Sequence, residues 1–356
     1  MIPDAWSQPE SALSRVPAGS VATMEWTADV AAGAWIRERL NDPSTGMLAF
    51  IPSGFEAYAR IFHPAERDRP VGRPWPGVPY GAHHKEWEAF QAAQPEIESE
   101  RVTWATAARA FGTTMHAQAS WDHLVERFRE VQGEDGPRDA EGWRYGRPMW
   151  GQLAAGELAA AASLLAVHTA TPDDAYIGVW DGWGGLVGGM GQGPSRVLFA
   201  MSSASDSPDD PVSAQHEDFL EHSARDQLNS PFRKATWQPG ILSDDISRGP
   251  RLELPARAHV LFRGAVAELA DPAWEQHAPW RDRSPEEFGH PATAESPSLV
   301  WPADHAWLLA SDVDLDSTIV GGSSELVRAL CADPRLEALQ IREGTDLGWD
   351  ADDINR

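Results

Sequence analysis

The chain has 356 residues, of which 42% are hydrophobic and 23% are charged, a composition typical of folded proteins. Its 54 acidic residues outnumber 29 basic ones, and the formal net charge of −25 repels nucleic-acid phosphates and anionic lipids. We therefore expect no nucleic-acid partner and no membrane partner, whereas a basic protein or a small molecule fits the charge. The 17 tryptophans are predicted to be mainly core residues. The single cysteine, Cys331, excludes a disulfide framework and a cysteine-based zinc site.

The beginning of the chain, residues 1–20, is predicted to be a flexible lead-in. It lacks a basic segment followed by an apolar one, so we predict no signal peptide. The longest apolar stretch, residues 153–167, is interrupted by Gly156 and Glu157 and is too short to span a bilayer. These patterns predict a cytoplasmic protein.

The first half of the chain predicts short helices and strands separated by polar segments. Residues 47–51 and 58–63 are expected to form the two strands of a hairpin, because a Pro-Ser-Gly break separates them. Residues 66–100, rich in proline, glycine and charge, are predicted to be a surface insert. Thr103 is the expected N-cap of a helix. The helices predicted from apolar spacing are 28–40, 86–93, 102–108 and 120–131.

The second half predicts another surface insert, residues 201–250, with a helix over 213–227. Helices are also predicted over 157–169 and 324–331, the second one capped by Ser323. The predicted strands are 175–180, 251–255, 259–263 and 306–315. This pattern predicts an α+β fold in which residues 21–345 form one large domain with a mainly antiparallel sheet, flanking helices and long loop inserts. Residues 346–356 are predicted to be a tail.

The most distinctive motif is Trp180-Asp181-Gly182-Trp183-Gly184, at the end of a predicted buried strand. One interpretation is the mouth of a pocket, with Asp181 as a polar anchor between aromatic walls. The other is a strand-end turn whose tryptophans close the core. The glycine-rich residues 184–193 lack the Lys-Ser/Thr of a phosphate-binding loop, so we expect a flexible loop there.

Asp312, Asp314 and Asp316 alternate with apolar residues, so on a strand their carboxylates share one face. Such a row is solvated, paired with arginine or bridged by a cation. Ser317 and Ser323 replace the glycine and glutamate that a calcium-binding loop requires at those positions, which argues against a calcium site.

The histidines do not show the spacing of a helical zinc motif. His116 and His123 share a face only if one helix includes both, and His216 and His222 lie in the second insert. We predict no metal site and no cofactor. A Gly-x-Ser-x-Gly motif is absent from the sequence, which gives no support to a serine hydrolase of that class.

Several phrases of the sequence resemble a family of actinobacterial proteins that has no established activity. The resemblance runs over about residues 25–340 and is carried by GFEAYARIFHP at 54–64, WDGWG at 180–184 and DLDSTIVGGS at 314–323. It implies that these motifs belong to one domain and that the two inserts are its variable parts. It implies no reaction.

Two functions follow from these observations. The first is a cytosolic, non-catalytic binding protein, of the kind that neutralises a basic toxin or nuclease as an immunity protein does. The alternative is an enzyme, for example a hydrolase, with a tryptophan-lined cleft beside Asp181 that uses the carboxylates and His63. The candidate residues of the pocket rim are Arg60, His63, Trp180, Asp181, Trp183, Asp312, Asp314 and Asp316.

Overall fold

The structure, a computed structural model, describes residues 24–40, 46–125, 136–191, 234–348 and 350–355. The predicted lead-in, the helix over 213–227 and most of the second insert lie outside these residues, as does the end of the helix predicted over 120–131. Among the helices of the described segments, none combines the length and the apolar character needed to cross a membrane.

The described chain alternates short helices with short strands. The α-helices are α1 (Ala34–Arg39), α2 (Tyr80–Ala93), α3 (Trp104–Phe111), α4 (Trp121–Leu124), α5 (Ala155–Leu165), α6 (Asp244–Ser247), α7 (Val266–Leu269) and α8 (Ser324–Ala332). The strands are β1 (Glu25–Trp26), β2 (Ala57–Phe62), β3 (Ala65–Pro70), β4 (Ile97–Val102), β5 (Arg144–Tyr145), β6 (Ala175–Trp180), β7 (Gly189–Gly191), β8 (Thr236–Gln238), β9 (Leu252–Glu253), β10 (Ala258–Gly264), β11 (Leu299–Pro302), β12 (Leu308–Ala310), β13 (Ser317–Gly322) and β14 (Ala338–Ile341).

A nine-stranded antiparallel sheet organises the fold. Its strand order is β1-β10-β6-β11-β12-β13-β2-β14, and β9 pairs with β10 outside this path. A three-stranded sheet, β4-β3-β5, and the pair β7-β8 complete the strands of the described segments. The predicted α+β class with a mainly antiparallel sheet is confirmed.

Both faces of the main sheet are covered, because successive side chains of a strand point to opposite sides. In β13, Val320 packs into the cluster that includes the buried residues of α5, α7 and α8. Its neighbour Ile319 packs into a second cluster with Ile36 of α1 and Met47. Tryptophans contribute to the apolar clusters of the protein, as predicted. Five tryptophans are among the largest fully buried side chains: Trp104, Trp274, Trp280, Trp301 and Trp307.

A third apolar cluster is formed by residues on both sides of the predicted insert 66–100. That segment contains two strands and a helix, and its strand β4 leads directly into α3. Phe62, at the end of β2, packs with Trp104, Trp121 and Tyr145 in this cluster. Charged residues of β3 and β4 pair across the small sheet, where Arg67 donates to Glu100.

The predicted hairpin over 47–63 is wrong. Residues 46–49 form a 3₁₀ helix, and β2 pairs with β13 and β14 instead. Met47 and Ile51 are both fully buried, and the amide of Ile51 donates to the carbonyl of Met47. An apolar run of five residues does not distinguish such a helical turn from a strand.

The C-terminal residues 350–355 dock against the loop before α4. Asp352 is fully buried and accepts hydrogen bonds from His116 Nε2 at 2.8 Å and from the Ser120 amide at 3.0 Å. Burial alone would raise the pKa of Asp352, but hydrogen bonds from Asn355, Ser120 and His116 lower it to about 2. His116 and His123 do not share a helix, because α4 begins only at Trp121.

Two predicted helix caps are present. The Thr103 hydroxyl accepts from the Thr106 amide at the start of α3, and the Ser323 hydroxyl accepts from the Leu326 amide at the start of α8. Such bonds satisfy amides that have no partner within the helix.

We expect Ser323→Ala to lower the free energy of unfolding by about 1 kcal/mol, because it removes the N-cap of α8. Ser324→Ala is the matched control, since Ser324 is the exposed first residue of the same helix. Urea unfolding of both variants measures the difference. Equal losses would contradict a specific cap.

Candidate functional site

The predicted site residues lie at one end of the main sheet. In an antiparallel sheet, the end of one strand lies beside the beginning of the next. The ends of β6, β12 and β2 therefore meet the beginnings of β10, β11 and β13, as the pairs His259–Trp180, Leu299–Ala310 and Ser317–Phe62 show. We call this end of the sheet, with the loops attached to it, the strand-end face.

The three aspartates occupy a loop rather than a strand, which corrects the prediction of a shared strand face. Strand β12 stops at Ala310, and the chain then turns as the Asp314 amide donates to the side chain of Asp312 at 3.0 Å. Arg257 pairs with Asp312 and Asp314, whereas Asp316 points to Arg60. Of the three interpretations, the structure shows arginine pairing.

Arg60 is buried and bonded to several groups of this face. Its guanidinium donates to the Ser317 hydroxyl at 2.9 Å and to the carbonyls of Ala117 and Ala119 at 3.1 and 3.0 Å. It also pairs with Asp316 at 3.3 Å. Burial lowers the pKa of Arg60 and raises the pKa of Asp316, and the attraction between the two groups opposes both shifts.

His63 lies beneath the face and is fully buried. Its Nδ1 is 2.7 Å from the carbonyl oxygen of Met149, and its Nε2 is 2.9 Å from the Thr318 hydroxyl. Because a carbonyl only accepts, Nδ1 carries the proton and Nε2 accepts from Thr318. Burial lowers the pKa of His63 to about 4, so the ring is neutral at physiological pH. His63 therefore links Thr318 of β13 to the segment that contains Met149.

The Trp-Asp-Gly-Trp motif forms a turn that begins where β6 ends. The rings of Trp180 and Trp183 meet edge to face with centroids 5.4 Å apart. Asp181 lies 3.4 Å from Arg251, and burial is the main cause that raises the pKa of its carboxyl. A Cβ on Gly182 would lie 2.1 Å from the Trp180 ring, so this glycine is required by close packing.

Three clefts open on the strand-end face. The Asp316 cleft has a volume of about 140 Å³, the His259 cleft about 30 Å³ and the Glu295 cleft about 220 Å³. The Asp316 cleft is lined by Arg60, Trp121, Asp122, Arg147, Trp150, Asp314 and Asp316, among others. The His259 cleft includes Arg257, His259 and Asp312, and the Glu295 cleft includes Met149, Gln152, Trp183, Trp280, Asp282 and Glu295.

A ridge formed by Met149 and Trp150 separates the two larger clefts. Met149 is 65% exposed and lines the Glu295 cleft, and Trp150 is 47% exposed and lines the Asp316 cleft. The ridge is held in place because the Gly151 amide donates to the Leu315 carbonyl at 2.7 Å. Neither residue of the ridge was among the predicted site residues. An apolar pair between Pro148 and Gly151 was the available signal.

The linings of the three clefts are acidic. They contain the six carboxylates of Asp122, Asp282, Glu295, Asp312, Asp314 and Asp316, and the three guanidiniums of Arg60, Arg147 and Arg257. All three arginines already pair with aspartates of the protein. Within the described segments, no group of three or more His, Cys, Asp or Glu residues could hold a metal ion.

The eight predicted residues are brought to the same end of the sheet but not into one pocket. Arg60, Asp314 and Asp316 line the Asp316 cleft, Asp312 lines the His259 cleft and Trp183 lines the Glu295 cleft. Trp180 contacts the lining of the His259 cleft, because the guanidinium of Arg257 lies over its ring at 5.4 Å from the ring centre.

Comparisons with family models, curated proteins and solved structures find no match to this chain.

We expect Gly182→Ala to lower the free energy of unfolding by about 1–3 kcal/mol, because the new methyl group displaces the Trp180 ring. Gly184→Ala is the matched control, since a Cβ there meets no atom within 4 Å. Thermal and urea unfolding measure both variants. If Gly184→Ala is the more destabilising, close packing at Gly182 is not the cause.

We expect the free energy of unfolding to decrease as the pH falls from about 6.5 toward 4. Burial lowers the pKa of both His63 and His259 to about 4, so in this range the unfolded chain takes up protons that the folded chain excludes. Above about 6.5 this stabilisation is fully present. His63→Gln should reduce the slope by up to about 1.4 kcal/mol per pH unit.

Urea unfolding at a series of pH values measures this slope. The control is His290→Gln, because the side chain of His290 is exposed. An unaltered slope in a folded His63→Gln variant would show that His63 does not titrate in this way.

Proposed function

We propose that this protein is a cytosolic, non-catalytic binding protein whose strand-end face docks a basic protein partner. The observation that carries the proposal is the Met149–Trp150 ridge, an exposed apolar pair set between two clefts that contain carboxylates. Tryptophan is enriched among the residues that dominate binding energy at protein interfaces. An apolar ridge with charged surroundings matches the core and rim of such an interface.

The sign of the charge selects the partner. Carboxylates outnumber guanidiniums in the three clefts, and the whole chain has a net charge of −25. Asp314, at the edge of the Asp316 cleft, pairs with Arg257, but its side chain is 72% exposed and can also face a cation of a partner. Opposite charge steers association and sets register, so a lysine- and arginine-rich surface is the complementary partner.

The rigidity of the face favours binding by a preformed surface. Arg60 fixes the aspartate loop, Gly151 fixes the ridge to the same loop, and His63 holds Met149 from below. A surface that is already ordered loses little conformational entropy when a partner docks.

The arrangement of the predicted catalytic groups also favours binding. Asp181 is paired with Arg251, and His63 is fully buried with both ring nitrogens bonded. A general base must reach the proton that it removes, and these two groups do not share a cleft with the aspartates. An immunity-like role against a basic toxin or nuclease is consistent with such a face. Membership of the actinobacterial family remains part of this proposal.

The test is capture of partners from the native host on immobilised protein, followed by affinity measurement with the purified partner. We expect a basic protein whose affinity falls with rising salt and falls at least tenfold with Trp150→Ala, because such anchors contribute about 2 kcal/mol or more. Tyr80→Ala is the matched control, since Tyr80 is 55% exposed on α2 and lines none of the three clefts.

Two results would overturn the proposal. One is a partner that binds Trp150→Ala as tightly as the wild type and is lost with Tyr80→Ala. The other is recovery of a small molecule that binds without salt dependence. Asp314→Asn provides an independent check, because it should weaken the complex most at low salt, where the attraction between charges is least screened.

A further inference from the structure

The Glu295 cleft has a different character from the Asp316 cleft. Its volume is about 220 Å³, and the charged side chains that line it are the carboxylates of Asp282 and Glu295. Trp183 and Trp280 contribute aromatic walls, and Met149 of the ridge forms part of its lining. The cleft therefore combines negative charge with aromatic surface and opens beside the proposed interface.

The carboxylate of Glu295 is held in a defined position. Gln152 donates to it through Nε2, and the Oε1 of Gln152 accepts from the Ser296 amide at 3.1 Å. The indole N–H of Trp280 donates to the main-chain carbonyl of Glu295 at 2.9 Å. These three bonds fix the side chain of Gln152 and the backbone around Glu295, and thereby the position of the Glu295 carboxylate.

Among the described residues, no ion pair involves Glu295 or the nearby Glu275. The Glu295 carboxylate therefore has no positively charged side chain paired with it in this part of the chain. Burial first, and then the charge of Glu275, raise the pKa of the Glu295 carboxyl. A half-buried carboxylate in this situation gains most from an external cation, because the ion pair is screened less than one on the open surface.

The walls of the cleft indicate which kind of cation fits. A guanidinium is planar, stacks on indole rings and donates to a carboxylate through two parallel N–H groups. A volume of about 220 Å³ is roughly that of seven water molecules at about 30 Å³ each, which accommodates a guanidinium with several methylene groups.

We propose that the Glu295 cleft binds the guanidinium of an arginine side chain from the basic partner, with Glu295 as its counter-ion and Trp183 as its stacking surface. The identity of the natural ligand rests on the proposed function, whereas the chemistry of the cleft does not. The ridge then places the partner so that one arginine enters this cleft while other basic groups face Asp314 and Asp316.

The test uses n-butylguanidinium as the probe and the full-length protein, with binding followed by calorimetry and by tryptophan fluorescence. We expect saturable binding to the wild type, at least tenfold weaker binding to Glu295→Gln, and unchanged binding to Glu325→Gln. Glu325 is an exposed carboxylate in the first turn of α8 and serves as the matched control. Neutral n-butylurea has nearly the same shape and should not bind.

A second variant keeps the test valid if Glu295→Gln does not fold. Trp183→Leu leaves the carboxylate in place and should also weaken n-butylguanidinium, because it removes the stacking surface. Equal affinity for wild type and a folded Glu295→Gln variant, or equal affinity for n-butylurea, would overturn the inference. So would an affinity that Trp183→Leu leaves unchanged.

The two proposals fail in different ways. If a purified partner depends on Trp150 but n-butylguanidinium does not bind, the assignment of the cleft is wrong and the proposed function stands. If n-butylguanidinium binds through Glu295 but the affinity of the partner is unchanged by Trp150→Ala, the cleft is a cation site and the proposed function is wrong.

Discussion

The buried guanidinium of Arg60 bonds to segments of the chain that are far apart in the sequence. It bonds to Ser317 and Asp316 at the beginning of β13 and to the carbonyls of Ala117 and Ala119 in the loop before α4. Removing one partner of such a buried pair is costly, because the other charge is then left without compensation. The position of the aspartate loop, and with it one wall of the Asp316 cleft, depends on this one side chain.

The strand-end face follows from that anchoring. The aspartate loop ends at Asp316, and the carbonyl of Leu315 in this loop accepts from the Gly151 amide. This bond positions the exposed residues Met149 and Trp150, which precede Gly151. His63 contributes from below by binding the carbonyl of Met149. The apolar ridge is thus supported on both sides by buried polar bonds, and the clefts beside it remain negative. This combination of a rigid apolar surface and an excess of carboxylates over guanidiniums in the clefts is the basis of the proposed partner.

Much of the architecture could be predicted because it depends on local pattern. The strand from Ala175 to Trp180 is a buried apolar run, and the caps Thr103 and Ser323 precede amphipathic segments. The site was harder to predict. Asp312 and Asp316 alternate as in a strand, yet their chain turns because Asp312 bonds to a nearby amide. Alternation alone does not reveal such a competing local bond.

The sequence by itself determined the α+β class, the excess of negative charge and the turn at Gly182, since these depend on composition, periodicity and short-range packing. Only the tertiary structure decided which strand ends meet. The pairing of β2 with β13 and β14 brings together residues more than 250 positions apart, and no local signal specifies such partners. This pairing places His63 and Arg60 beside β13, where His63 is buried and Arg60 pairs with Asp316.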